Sequence, residues 1–157
     1  MHCGTHILSK PLLPIRKMKS TIITILLLTG PILSFGQAQE LTSDDYNNSG
    51  AIKLIFETDI SRAQDLAKKD IEKGIPFLLI RSGVAPVVYT TDSVFENRFK
   101  VYYYELGCTG PNYELMIAYN IEIFKFLDKE FGKEWRKSIR KDIIGFKEWE
   151  RKNKNGR

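Results

Sequence analysis

The run Pro76-Phe77-Leu78-Leu79-Ile80 contains no polar residue and lies between Gly74 and the turn-forming Arg81-Ser82-Gly83. An apolar run this short and this continuous is expected for a buried strand with both faces covered. The rest of the chain must therefore supply covering layers. Asp59 or Ser61 can cap the segment before it, where Ile60, Ala63, Ala67 and Ile71 fall at helical spacing and Gly74 marks the end. Lys100 to Leu106 (KVYYYEL) is β-branched and aromatic, which predicts a second strand. Pro111 then stands at a helix start, where its missing N–H costs nothing.

Between the two strands, Val87 to Thr90 suggests a further short strand, and Thr91 or Asp92 caps a brief helix with Val94, Phe95 and Phe99 as its apolar side. After Pro111, a helix presents Leu115, Met116, Tyr119, Ile123, Phe126 and Leu127 until Gly132 breaks it. A final helix is expected from Trp135, Ile139, Ile143, Phe146 and Trp149, with Arg136, Lys137, Arg140 and Lys141 facing outward. Ala51 to Phe56 fits either a strand or the first turns of a helix. The order predicts an α/β fold: a small, mostly parallel two- to three-stranded sheet covered by helices, with two C-terminal helices.

The N-terminus sets the domain organisation. From Met18 the chain reads a short positive segment at Lys19, an apolar stretch from Thr21 to Phe35, and the small-x-small signal Ser34-Phe35-Gly36. This three-part pattern predicts a signal peptide over residues 18–36, cleaved near Gly36 or Ala38, and an exported protein, periplasmic or extracellular. The apolar stretch is shorter than the ~20 residues a membrane-spanning helix needs, so no transmembrane segment is expected after processing. Residues 1–17 read as an upstream extension, 37–50 as a flexible polar leader, 51–150 as one α/β domain and 151–157 as a basic tail.

Processing changes the chemistry available. His2, His6 and Cys3 all precede the cleavage point, so the expected mature chain holds no histidine and a single cysteine, Cys108. Histidine-dependent triads, imidazole-ligated metals and an internal disulfide are thereby excluded. Four of the 24 bases and none of the 19 acids are lost with it, leaving 20 bases against 19 acids. The basic pI thus gives no argument for nucleic acid. Charge is uneven, however: residues 133–157 carry ten bases and four acids. That face is expected to be solvated or packed near the acidic half; the alternative is contact with an anionic partner or membrane surface.

Ligands of open α/β sheets tend to bind beyond the carboxyl ends of the strands. Those ends are Arg81-Ser82-Gly83 and Gly107-Cys108-Thr109-Gly110, the second feeding a helix N-terminus. Arg81, Ser82, Cys108, Thr109 and Asn112 are the ligand-binding candidates, with Asn120 as an unexplained polar residue on an apolar segment that can face the same space. Two readings of Cys108 stand side by side. It is a small buried hydrophobe in a tight turn, or a thiol activated by the helix start. Tyr102 and Tyr104 share one strand face and Tyr103 the other. Glu105 with Glu96, Asp92 or Glu114 could form a carboxylate pair for acid–base work or divalent metal binding, although solvated surface carboxylates are far commoner. No metal site and no cofactor are expected.

Phe95-Glu96-Asn97-Arg98-Phe99, the Gly107-Cys108 turn and Gly132-Lys133-Glu134-Trp135-Arg136 together resemble an uncharacterised exported bacterial family labelled after an F-E-K-K-Y motif (the FEKKY domain). The resemblance covers roughly residues 60 to 147. It departs at Asn97 and Arg98, where the label has lysines, and at Phe99, where it has tyrosine. It implies a single exported domain and transfers no activity. The expected function is a non-enzymatic binding or interaction module of the cell envelope, with an envelope protein or an anionic ligand as partner. The alternative is a thiol-dependent enzyme or redox sensor using Cys108.

Overall fold

The computed structural model describes residues 41–154, apart from 84, 108 and 109. Residues 18–36, expected from sequence to be a signal peptide, and Cys108 and Thr109 lie outside the described residues. Helix α1 spans Ser43–Asn48, α2 Gly50–Lys53 and α3 Ile60–Glu72; strand β1 spans Phe77–Ile80. Helix α4 covers Asp92–Phe99 and leads to strand β2, Tyr102–Glu105. The long helix α5 covers Tyr113–Phe131, and α6 covers Phe146–Lys154.

The two strands pair in parallel with Phe77 opposite Tyr102 and Ile80 opposite Glu105. The small parallel α/β arrangement is therefore present, and β1 is buried along its whole length. Helices α3 and α5 pack along one another, and α5 lies on β1. The strand Val87 to Thr90 does not form; that segment is an irregular, exposed loop.

Local chemistry explains the helix starts. Thr42 and Asp45 form a reciprocal capping box for α1, where the sequence leads one to expect a flexible leader. Ser49 accepts from the Ile52 N–H to start α2, and Asp59 accepts from the Ser61 N–H to start α3. Ala51 to Phe56 thus resolves as helix, running into a 3-10 turn at Leu54–Phe56. Helix α2 is held against α3 by Asp70, whose buried carboxylate accepts from the Gly50 N–H at 2.7 Å, the Ala51 N–H at 3.1 Å and the Tyr119 hydroxyl at 2.5 Å. Burial pushes that carboxyl up, while the Tyr119 hydroxyl and the two N–H groups pull it down. A Cβ at Gly50 would stand 2.6 Å from the Leu66 carbonyl oxygen, so only glycine permits this approach.

The expected single helix from Trp135 to Trp149 is corrected by the structure. Glu134–Lys137 form a 3-10 turn, residues 138–145 leave the helical path, and helix resumes only at Phe146. Trp135, Ile139, Ile143, Phe146 and Trp149 are all buried, as their spacing suggests. They are buried by different elements, however. The cause is the second edge of β1, which faces away from β2 and would carry unpaired peptide groups in the core. Ile143 forms an antiparallel bridge with Ile80, and the Ile144 N–H donates to the Leu79 carbonyl at 3.3 Å. Gly145, at φ 77°, turns the chain back into α6. Breaking the helix also brings Arg140 inward: it is 8% exposed and does not face solvent. Arg136 is drawn in too, paired with Asp128 and lying 4.6 Å over the Trp149 ring.

Candidate binding cleft

An open cleft of about 610 Å³ runs beside β2. One wall is strand: Tyr103, Tyr104 and Glu105. A second is the first two turns of α4, with Asp92, Ser93 and Glu96. The loop at Pro86 to Thr90 forms a lip, Tyr46 of α1 closes one end, and Arg140 lies at the base.

Arg140 organises this arrangement. Its Nε and Nη2 donate to the Asp142 carboxylate at 3.0 and 2.7 Å, a bidentate pair. Nη1 donates to the Val87 carbonyl at 2.8 Å, to Asp92 Oδ2 at 3.1 Å and to Glu105 Oε1 at 3.4 Å. The guanidinium lies 4.7 Å from the Tyr89 ring centre and 5.6 Å from that of Tyr103. The Asp142 carboxyl is held below the usual carboxylate range chiefly by its hydrogen bonds from Arg140. One side chain therefore ties the lip, α4, β2 and the segment before α6 together.

The carboxylates are each placed by backbone donors. The Tyr89 N–H donates to Asp92 Oδ2 at 2.9 Å, while the Asp92 N–H returns to the Tyr89 carbonyl at 3.0 Å. The Tyr103 N–H, on the β2 edge away from β1, donates to Glu96 Oε1 at 2.9 Å. The Val87 N–H donates to both oxygens of Glu105. Asp92 Oδ1 is buried with no hydrogen-bond partner among the described residues. No cation among those residues pairs with Glu96, and its carboxyl is pushed up by burial, helped by the negative charge of Asp92 and opposed by the Tyr103 N–H.

A raised carboxyl has a definite sign in stability. Glu96 contributes most below its unfolded value, and that contribution is lost as pH rises through the raised folded value. Denaturant melts across pH 4 to 7 should show wild type losing stability relative to Glu96→Gln as pH rises. A difference that grows in the opposite direction would mean the Tyr103 N–H dominates instead.

The structure separates the residues singled out from sequence. Asp92, Glu96 and Glu105 meet at the cleft; Glu114 does not, standing exposed in the first turn of α5. Asn112 is the cap of α5, its Oδ1 accepting from the Glu114 N–H at 2.9 Å. Arg81 lines a different, smaller depression of about 330 Å³ with Tyr113, Lys141 and Asp142. Ser82 is half-buried beside it in sequence. Asn120 does not face either space: it is fully buried, accepting from the Leu79 N–H at 2.9 Å and donating to the Leu79 and Ile144 carbonyls at 3.0 Å each. Tyr103 stacks on Phe95 with ring centres 5.2 Å apart, while Tyr102 and Tyr104 pack on Phe77 across the strand. Among the described residues no group of three His, Cys, Asp or Glu side chains is placed to hold a metal ion. No helix there is long and apolar enough to cross a membrane.

Tyr46, Tyr89 and Arg140 are cleft residues that the sequence does not disclose. Tyr46 sits in a polar stretch, and Arg140 falls on the outer side of a helical wheel that the chain never completes. The one available signal is Asp142-Ile143-Ile144-Gly145, an apolar pair before a glycine that suits a bridge and turn. Compared with protein-family models, curated proteins and solved structures, the chain matches none.

Proposed function

We propose that this chain is an exported binding module of the cell envelope and that the cleft beside β2 is its ligand-binding surface. The observation that carries the reading is the convergence of three carboxylates, four tyrosines and Arg140 from five separate segments on one open cleft. Concave sites with aromatic walls and a few fixed polar groups are the usual form of a binding site. Val88, 82% exposed on the lip, offers an apolar surface at the entrance. Export rests on the Lys19 to Gly36 pattern, and the FEKKY resemblance agrees with it. Most positions carrying that resemblance hold the fold: Phe95, Phe99 and Trp135 are core, and Gly107 and Gly132 have positive φ. Among those of them that the structure describes, Glu96 alone lines the cleft.

A photo-crosslinking residue at Val88, compared with one at the exposed Glu72 of α3, tests this in the producing cell. The Val88 protein should give a discrete adduct in the exported fraction, with a mature N-terminus near Gly36 or Ala38 by mass spectrometry. Equal labelling from both positions, or none from Val88, overturns the cleft as the binding surface. An uncleaved chain retained in the cytoplasm overturns export.

A further inference from the structure

We infer that the ligand of this cleft carries a primary ammonium group, held by the carboxylates of Asp92, Glu96 and Glu105. This rests on the cleft being the binding surface. The charge balance is the first argument. Three carboxylates line the cleft against one guanidinium, and that guanidinium is already shared with a fourth, Asp142. Each Arg140 nitrogen donates to a protein oxygen, so Arg140 presents no unengaged nitrogen to an incoming anion.

The unpartnered oxygen is the second argument. Asp92 is 7% exposed, lines the cleft, and has both described hydrogen bonds on Oδ2. Oδ1 has no donor among the described residues. A buried acceptor without a donor is uncommon and marks a place where a donor belongs. Asp92 lines the cleft, and an ammonium seated against it would supply that donor. Glu96, with a backbone N–H and no cation, supplies the second acceptor.

The aromatic residues decide which cation. A quaternary ammonium is recognised by open ring faces. Here Arg140 already lies over Tyr89 and Tyr103, and Phe95 stacks on Tyr103. What the cleft offers is acceptors, which suit the three N–H donors of a primary amine. The apolar lip at Val88 and the Tyr46–Tyr104 pair, with ring centres 6.4 Å apart, suit the alkyl part of such a ligand.

Isotope-edited NMR of the full chain tests the inference with four probes: n-butylammonium, n-butanol, butyrate and tetramethylammonium. Butylammonium should shift the Tyr89, Ser93 and Tyr103 amides saturably, with butanol, butyrate and tetramethylammonium at least about tenfold weaker. Glu96→Gln should weaken butylammonium by about tenfold, whereas Glu72→Gln on α3 should not change it. Butanol, butyrate or tetramethylammonium matching butylammonium overturns the ammonium assignment and leaves the cleft as a binding surface. Shifts from no probe overturn the ammonium assignment, and together with no adduct at Val88 they overturn the cleft as a binding surface as well. Because the probe comparison needs no substitution, it stands even if Glu96→Gln does not fold.

Discussion

Replacing Asn120 by alanine should destabilise the protein by about 3–5 kcal/mol, the loss expected when two or three buried peptide groups are orphaned and a small cavity opens. The side-chain amide of Asn120 treats Leu79 as the peptide group of a third strand would. It accepts the Leu79 N–H and donates to the Leu79 carbonyl, with a second donation to the Ile144 carbonyl. Without it the Leu79 N–H and the Ile144 carbonyl lose the partners described for them, among the buried side chains of Leu79, Ile80 and Ile144. Asn120→Asp should be costly as well, since a carboxylate would face two carbonyl oxygens. Urea unfolding at unchanged m-value measures this directly. A midpoint shift worth under about 1 kcal/mol would show that the clamp is dispensable.

Arg140→Met should cost about 3–5 kcal/mol, because it leaves the buried Asp92 carboxylate without its cation. Asp92 and Arg140 are both almost fully buried, and the pair is 3.1 Å apart. The change should also free the lip, since the Val87 carbonyl loses its guanidinium donor. Limited proteolysis should accordingly cut within residues 86–91 faster than in wild type. Combining Arg140→Met with Asp92→Asn should cost less than the sum of the two, because the second change removes the charge the first one strands. Arg140→Lys should not restore wild-type stability: an ammonium cannot span Asp142, Val87, Asp92 and Glu105 from one planar fork. Additive costs in the double variant would mean the ion pair is not what holds this site.

Much of the fold is legible because it depends on local rules. Pro76 to Ile80 reads as a doubly covered strand because five successive apolar residues require burial on every side. Gly74 and Gly132 end their helices at positive φ, as their positions suggest. The alternation of Tyr102, Tyr103 and Tyr104 across β2 follows from strand geometry alone.

The site is legible only in part. The acidic residues Asp92, Glu96 and Glu105 can be named from sequence, but nothing in it states their proximity, since Glu105 comes from a strand and the others from α4. Asn112 and Asn120 look like binding residues and serve as cap and clamp. In both cases the alternative partner is a backbone group, which sequence patterns do not register. Arg140 is placed wrongly by periodicity because helical spacing records which residues are buried and not which element buries them.

The chain's own residues thus determined a short parallel β1–β2 pair, the helices that cover it and the acids available beside it, because propensity, capping and burial act over a few neighbouring residues. The tertiary structure alone decided that the second edge of β1 must be closed. Closing it took Ile143 and Ile144 out of a helix, turned Arg140 inward, and built the cleft around a guanidinium. Satisfying buried peptide groups is a demand of the whole fold, and no local stretch carries it.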